Sequence, residues 1–359
     1  MPEFKPGESL LGMGLHGRCY MCALVALALL GAMAWSHHNR RKQARVRALQ
    51  INANYTASRP RILVLLHSYR DKRTGQTIFN LFERATCPLR VTVAVWQENN
   101  HRKDVDCWSC YESLIPGHRA SPRNGFADLV RVVNRRSSTS LGRLHAIRES
   151  MRLMDMDESF TLIFQPGIEI AHNWDTVLLN FMGDAERTSS CDATAPRVVL
   201  TQLPGDAREN QCRSVVDAPG TFPILQKKYR IVSLCPRPFR YRPRHPVPCL
   251  AVTSMMCFMR TDVLRRALDA SVVQAAPLYA ADLLLSSMLY DAGASFYAVP
   301  CQMTWGAPSK RVSNYRPPGW GSTIPVVSPS YSRFCGATAT EVSERASTVP
   351  DAESNVYFP

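Results

Sequence analysis

The chain has 359 residues, 45% of them hydrophobic, enough to bury the core of one large domain or two small ones, which excludes a wholly unstructured chain. The net charge of +14 suits an anionic partner such as a lipid surface or a diphosphate. No RNA-recognition or zinc-finger pattern accompanies that charge, so no nucleic-acid partner is expected.

Residues 1–18 read as a short tail before Cys19 to Trp35, an uninterrupted apolar run of 17 residues near the lower limit for a membrane span. Glu3 and Glu8 before the run, and no clear small-residue cleavage site after it, favour an anchor over a cleaved signal. Residues 36–60 form a basic, polar stem. Arg40, Arg41, Lys42, Arg45 and Arg47 would hold the following domain in the cytosol by the positive-inside rule. Asn54-Tyr55-Thr56, in contrast, is a glycosylation sequon with meaning only in a lumen.

Ile62 to Leu66 is an apolar run too short for a helix and stops at a polar loop, His67 to Gly75. Ile78, Phe79, Leu81 and Phe82 then share one helical face, Pro88 bars continuation, and Val91 to Val95 is a β-branched run. Strand, loop, helix and strand predict a βαβ unit of a parallel sheet, with its ligand site at the strand carboxyl ends. Glu98 to Asn124 reads as a long polar loop over that edge. Its Cys107-Trp108-Ser109-Cys110 has redox-type spacing outside a redox context, and a structural thiol pair or a disulfide is expected. The ten cysteines beyond the apolar run permit disulfides in an oxidising lumen.

Seven arginines, Arg119, Arg123, Arg131, Arg135, Arg136, Arg143 and Arg148, lie between Gly117 and Arg148, with Asp128 the only acid among them. They make either a solvated face or an anion site. Val130 to Val133 predicts a short strand. Ser140 fits the N-cap of an amphipathic helix over Leu141 to Met154. Phe160 to Phe164 and Arg197 to Thr201 predict further strands, and Leu203 to Pro248 reads as an irregular insertion. Cys249 to Met259 predicts a strand running into a helix capped at Thr261-Asp262. A helix over Leu278 to Ala292 and a strand from Phe296 follow. Residues 309–359 are a Pro/Ser/Thr-rich tail, expected to be partly disordered.

Ser68-Tyr69-Arg70-Asp71, Thr77 and Ala85-Thr86-Cys87-Pro88 together resemble the opening of the protist polypeptide α-N-acetylglucosaminyltransferases. The resemblance implies a GT-A type α/β fold, a Rossmann-like mixed sheet flanked by helices over residues 61–308, here behind an N-terminal transmembrane helix. It implies a UDP-sugar donor, most often UDP-GlcNAc, a protein hydroxyl as acceptor, and a divalent cation, Mn or Mg. Ser68, Tyr69, Arg70 and Asp71 would lie against the nucleotide, or else serve the loop, with Asp71 capping the helix. Anchored members resemble type II Golgi proteins, so residues 19–35 are assigned as a single-pass Golgi or ER anchor with a luminal domain.

The family's Asp-x-His metal motif precedes a Trp-Asp, present here as Trp174-Asp175, and counting back gives Gln165-Pro166-Gly167 at the motif. Gln165 offers one neutral carbonyl and Gly167 nothing, so the ligands expected of a hard cation are missing. Asp282 stands where the family has the second acid of Gly-Glu-Glu, facing the reacting centre, or it serves only the helix dipole. Gly142 and Ala146 match a family helix whose arginine position holds Ile147. Arg143 or Arg148 is then the expected positive group at the departing phosphate. The alternative is a catalytically inactive relative that binds or scaffolds.

Overall fold

The computed structural model describes residues 60–115, 126–155, 157–189, 197–205, 221–228, 231–238, 243–269, 278–306 and 328–335. They fold as mixed α/β with a large central sheet. In chain order the elements are β1 (Arg61–Tyr69), α1 (Thr74–Glu83), β2 (Val91–Asn99), α2 (Cys107–Leu114), β3 (Val130–Arg136), α3 (Arg143–Ser150) and β4 (Glu158–Phe164). Then come β5 (Glu169–Ile170), α4 (Trp174–Ser189), β6 (Val198–Thr201), β7 (Thr221–Lys228), β8 (Ile231–Pro238), β9 (Val247–Pro248) and β10 (Met256–Arg260). The last are α5 (Thr261–Asp269), α6 (Leu278–Asp291), β11 (Ser295–Ala298), β12 (Thr304–Trp305) and α7 (Pro329–Phe334).

Eight strands make the main sheet, in the order β3-β2-β1-β4-β10-β6-β11-β9. The first four are mutually parallel. β10 runs antiparallel to both of its neighbours, so its start, Met256, lies beside the end of β4 at Phe164. The apolar run of β1 follows from this position. Ile62, Val64 and Leu66 enter the core that also holds Ile78 and Leu81 of α1 and Trp174 of α4, while Leu63 and Leu65 enter the one shared with Leu144 of α3, Leu264 of α5 and Leu285 of α6. A strand covered on both faces has no polar side to alternate with.

Several expectations are corrected. The loop after β2 carries helix α2, whose start is capped by Asp106 accepting from the N–H groups of Trp108 and Ser109. The insertion before β9 carries a hairpin, β7 paired with β8. The strand expected over Cys249 to Met259 is confined to Met256–Arg260. The stretch from about Gly336, where disorder is expected, lies outside the described residues; ahead of it α7 buries Tyr331, whose hydroxyl donates to the Leu250 carbonyl at 3.1 Å. Of the two states expected for Cys107 and Cys110, a thiol pair or a disulfide, they are thiols, and burial pushes Cys107 up to about 12, which suits a packing role and not a nucleophile.

The localisation is corrected too. Among the described residues no helix is long and apolar enough to cross a membrane, against a single-pass Golgi or ER protein. The apolar run 19–35, the stem to residue 59 and the sequon at Asn54 lie outside the described residues.

Candidate active site

The strand order reverses at β1. From β1 the chain goes to β2 and β3 on one side, while β4 lies on the other. Loops that leave neighbouring parallel strands in opposite directions open a crevice at the carboxyl ends, the usual ligand position in such sheets. Its walls are the segment after β1, the segment after β4 and the turn before β10.

The first wall is His67 to Thr77. Arg70 has a φ of 50°, the left-handed region that a side chain seldom adopts. Its N–H donates to the Glu98 carbonyl at 2.9 Å and its Nε to Asp104 Oδ2 at 2.8 Å, and these hold the conformation. Asp71 is buried and accepts from the Arg73 N–H at 3.0 Å, from Arg73 Nε at 3.1 Å and from Nη2 at 2.9 Å. Ser68 Oγ and Thr74 Oγ1 share a hydrogen bond of 2.6 Å across the loop. Tyr69 is half-buried, and that burial raises its hydroxyl pKa. The four residues expected at the nucleotide are thus adjacent, and Asp71 also organises the entry to α1.

The second wall is Gln165 to Gly167. Gln165 is fully buried, and neither its side-chain oxygen nor its nitrogen has a hydrogen-bond partner. An orphaned buried amide costs about 1–3 kcal/mol, so one at a crevice points to a group that enters it. The Gly167 N–H donates to Thr77 Oγ1 at 2.9 Å, tying this wall to α1. Gly167 has a φ of 82°, and a Cβ there would lie 2.1 Å from Arg73 Cζ, 2.4 Å from Nη2 and 2.5 Å from Nε.

Behind the turn before β10 is a buried charged network. Arg143 enters from the start of α3 and its Nη2 donates to the Ser254 carbonyl and, at 3.4 Å, to that of Phe164; its Nε and Nη1 have no hydrogen-bond partner. Complete burial lowers its pKa to about 10, against the nearby Asp282 charge. Asp282 accepts from the Ser254 N–H at 2.7 Å, from Ser254 Oγ at 2.5 Å and from Thr253 Oγ1 at 3.2 Å. Burial raises its pKa, opposed by those bonds and by Arg143. Asp282 and Arg143 therefore clamp the turn before β10, and Arg143 also reaches the end of β4 at Phe164. Arg148, five residues further along α3 and roughly 7.5 Å away on a helix, is exposed and not brought to them.

Three residues of this region escaped the sequence reading. Arg73 stood in a loop of mixed charge, and only its spacing before Thr74 hinted at the helix start. Asp104 holds Arg70. Glu98, at the end of β2, is buried and accepts from Trp96 Nε1 at 3.1 Å and Ser140 Oγ at 2.5 Å, and its Oε2 lies 2.9 Å from His67 Nε2. Burial alone would raise the Glu98 pKa, but His67, Ser140 and Trp96 together turn it downward. Ser140, expected as a helix cap, spends its hydroxyl proton here.

The sequence cluster of arginines is dispersed. Arg131 binds the Leu153 carbonyl and Asp155, Arg135 lies over the Trp96 ring at 5.2 Å, Arg136 is exposed, and residues 119 and 123 lie outside the described residues.

Among the described residues, positions 165 and 167 do not supply the ligands of a divalent cation. Hard cations need several oxygen ligands, preferably anionic, and positions 165 and 167 supply one neutral amide between them. A guanidinium fills the space beside Gly167. Among the described residues, the one acidic group close-set enough for an ion is Asp155, Asp157 and Glu158, where Arg61 and Arg131 already pair with it. It lies at the opposite end of β4, roughly 20 Å along the strand.

A family model described as Glycosyltransferase (GlcNAc) matches residues 61–127. No curated protein matches the chain. Among solved structures it is similar to S. aureus TarS 1–349, at 10% identity and a TM-score of 0.44 over 71% of this chain and 62% of that one. The same protein in complex with UDP-GlcNAc gives 10% and 0.44, over 71% and 61%. The mannosyltransferase PcManGT from Pyrobaculum calidifontis, in complex with GDP-Man and Mn2+, gives 12% and 0.42, over 72% and 60%. The chain spans about three fifths of the length of these structures.

Proposed function

We propose that the chain is a glycosyltransferase that takes a sugar from a nucleotide-diphosphate donor, most simply GlcNAc from UDP-GlcNAc, and passes it to a protein hydroxyl. The observation that carries this reading is a coincidence of place. The family-model match over residues 61–127 falls on the segment that builds the first wall of the switch-point crevice, Ser68 to Asp71 included. In the reaction the acceptor oxygen forms a bond to the sugar's anomeric carbon. The bond from that carbon to the diphosphate oxygen breaks, its electron pair leaves with UDP, and the hydroxyl proton passes to a base or to solvent. Negative charge grows on the departing diphosphate, so fixed positive groups there lower the barrier. Ser68, Tyr69, Arg70 and Asp71 are assigned to the nucleotide. Arg143 and Asp282 are positioning residues, since both are spent on the turn at Ser254.

A second reading, binding without transfer, is favoured by one observation. Asp282, the carboxylate expected to face the reacting centre, is buried and accepts three hydrogen bonds from Ser254 and Thr253. The test is calorimetric titration of the full chain with uridine, UDP-GlcNAc and GDP-mannose, followed by an assay for UDP released from UDP-GlcNAc. Uridine and UDP-GlcNAc should bind and GDP-mannose should bind weakly. Binding with no release, even with mixed protein acceptors, would favour the second reading. Binding of none of the three would sink both.

A further inference from the structure

We propose that Glu98 is a positioning residue for the donor, fixing the loop that takes the nucleotide relative to the walls that face the rest of the donor. The inference rests on the donor reading above. The backbone of Glu98 serves the loop. Its carbonyl accepts the Arg70 N–H at 2.9 Å and so holds the φ of 50° at which Ser68-Tyr69-Arg70-Asp71 turns. Tyr69 also pairs with Glu98 in the register of β1 and β2. The side chain of Glu98 serves α3. Its Oε2 accepts the Ser140 hydroxyl at 2.5 Å, and Ser140 Oγ accepts the Gly142 N–H at 3.3 Å. Gly142 has a φ of 90°, and the next residue, Arg143, opens α3 and donates to the carbonyls of Ser254 and Phe164. One residue thus links the first wall of the crevice to the end of β4 and to the turn before β10.

The carboxylate is itself held in place. It is buried, with Trp96 Nε1 donating to Oε1 at 3.1 Å and His67 Nε2 lying 2.9 Å from Oε2. Three neighbours on one carboxylate fix its position, and hydrogen bonds to an ionised acceptor are about twice as strong as neutral ones. The charge works against an anionic ligand. It reaches the loop, where burial first, and then Glu98 and Asp104, raise the Tyr69 hydroxyl pKa against the pull of Arg70. What Glu98 contributes to donor binding is therefore geometry and not attraction. A glutamine keeps that geometry. Its oxygen can take the Trp96 N–H while its two amide protons go to His67 Nε2 and Ser140 Oγ. His67 then carries its own proton on Nδ1, which has no hydrogen-bond partner.

The test titrates the full chain with uridine, which needs the loop alone, and with UDP-GlcNAc, which spans the loop and the other walls. Titrations run well below each variant's thermal midpoint, so that lost stability alone leaves both affinities unchanged. Ser140→Ala and Glu98→Ala should weaken UDP-GlcNAc about tenfold, as when the binding-competent arrangement falls to about a tenth of the molecules, and leave uridine within about twofold. Glu98→Gln should stay within about threefold of wild type for both ligands. Ser140→Ala carries the test if Glu98→Ala does not fold. Unchanged UDP-GlcNAc affinity in the alanine variants would overturn the proposal. So would an equal loss for uridine, which makes the effect a collapse of the loop. Glu98→Gln binding as weakly as the alanine variants would also overturn it, by assigning the effect to charge. Each of these leaves the donor reading intact, since the wild type still binds. A wild type that binds neither ligand removes the donor reading and the proposal together.

Discussion

Two costs meet at Gly167, and they are separable. A Cβ there would collide with Arg73, and the φ of 82° is strained for any side chain. Gly167→Ala is therefore expected to destabilise by about 1–3 kcal/mol, read from the urea midpoint. Adding Arg73→Ala removes the collision but not the torsional strain, so the double variant should recover only part of the loss. Full additivity of the two would show that the side chains do not meet. Glu98 gives a second residue-level prediction, this time in pH. Its folded pKa lies below the unfolded value, so the stability it contributes is present above the unfolded pKa and disappears as pH falls through the folded one. Glu98→Gln should flatten that acid limb. Glu98→Ala, which strips partners from Trp96, His67 and Ser140 at once, should cost about 3 kcal/mol at neutral pH.

At the scale of elements, the Trp-Asp pair that fixed the register of the metal motif serves as a joint. Trp174 is buried and donates through Nε1 to the Leu81 carbonyl at 3.0 Å. Asp175 accepts from the N–H groups of Thr86 and Cys87 at 2.8 and 3.0 Å and pairs with buried Arg90 at 2.6 Å. The start of α4 is thereby fastened to the end of α1 and the approach to β2. Asp175→Ala leaves Arg90 buried without its charge partner and should cost about 3–5 kcal/mol, seen as a lower thermal midpoint. A loss under 1 kcal/mol would mean that the pair is relaxed by solvent. This joint also marks how far the sequence was readable. β1, α1, β2, β4 and α6 were legible because each buries a continuous run or a wide apolar face. The hairpin of β7 and β8 was hidden by Pro223, Pro236 and Pro238 in its strands, which read as loop. Leu141 was counted on an apolar face but is 41% exposed, because α3 starts only at Arg143. The candidate site was legible as a loop, Ser68 to Asp71, and as a missing motif at Gln165 and Gly167. The side chain that fills the gap was not legible, because Arg73 and Gly167 are distant in sequence and meet only through the pairing of β1 with β4.

Across the molecule, the candidate site joins parts that are far apart in the chain. Its walls come from the entry to α1, the end of β4 and the turn before β10, with the Gln165 N–H donating to the Met255 carbonyl at 3.1 Å and the Gly167 N–H to Thr77. A ligand that binds this folded crevice and not the unfolded chain should add to resistance to unfolding in proportion to the logarithm of its concentration over its Kd. At a free concentration one hundred times its Kd, UDP should add about 2.7 kcal/mol. For a chain of 359 residues that is a rise of roughly 3–4 °C in thermal midpoint. The net charge of +14 adds a long-range attraction for any anion, which salt screens. A specific site must therefore be told from general charge. Pyrophosphate at the same concentration in high salt should raise the midpoint much less than UDP does, since it lacks the nucleoside that the Ser68 to Asp71 loop is proposed to hold. Equal shifts from the two anions, collapsing together as salt rises, would assign the effect to the charge of the whole chain and remove the crevice from the argument.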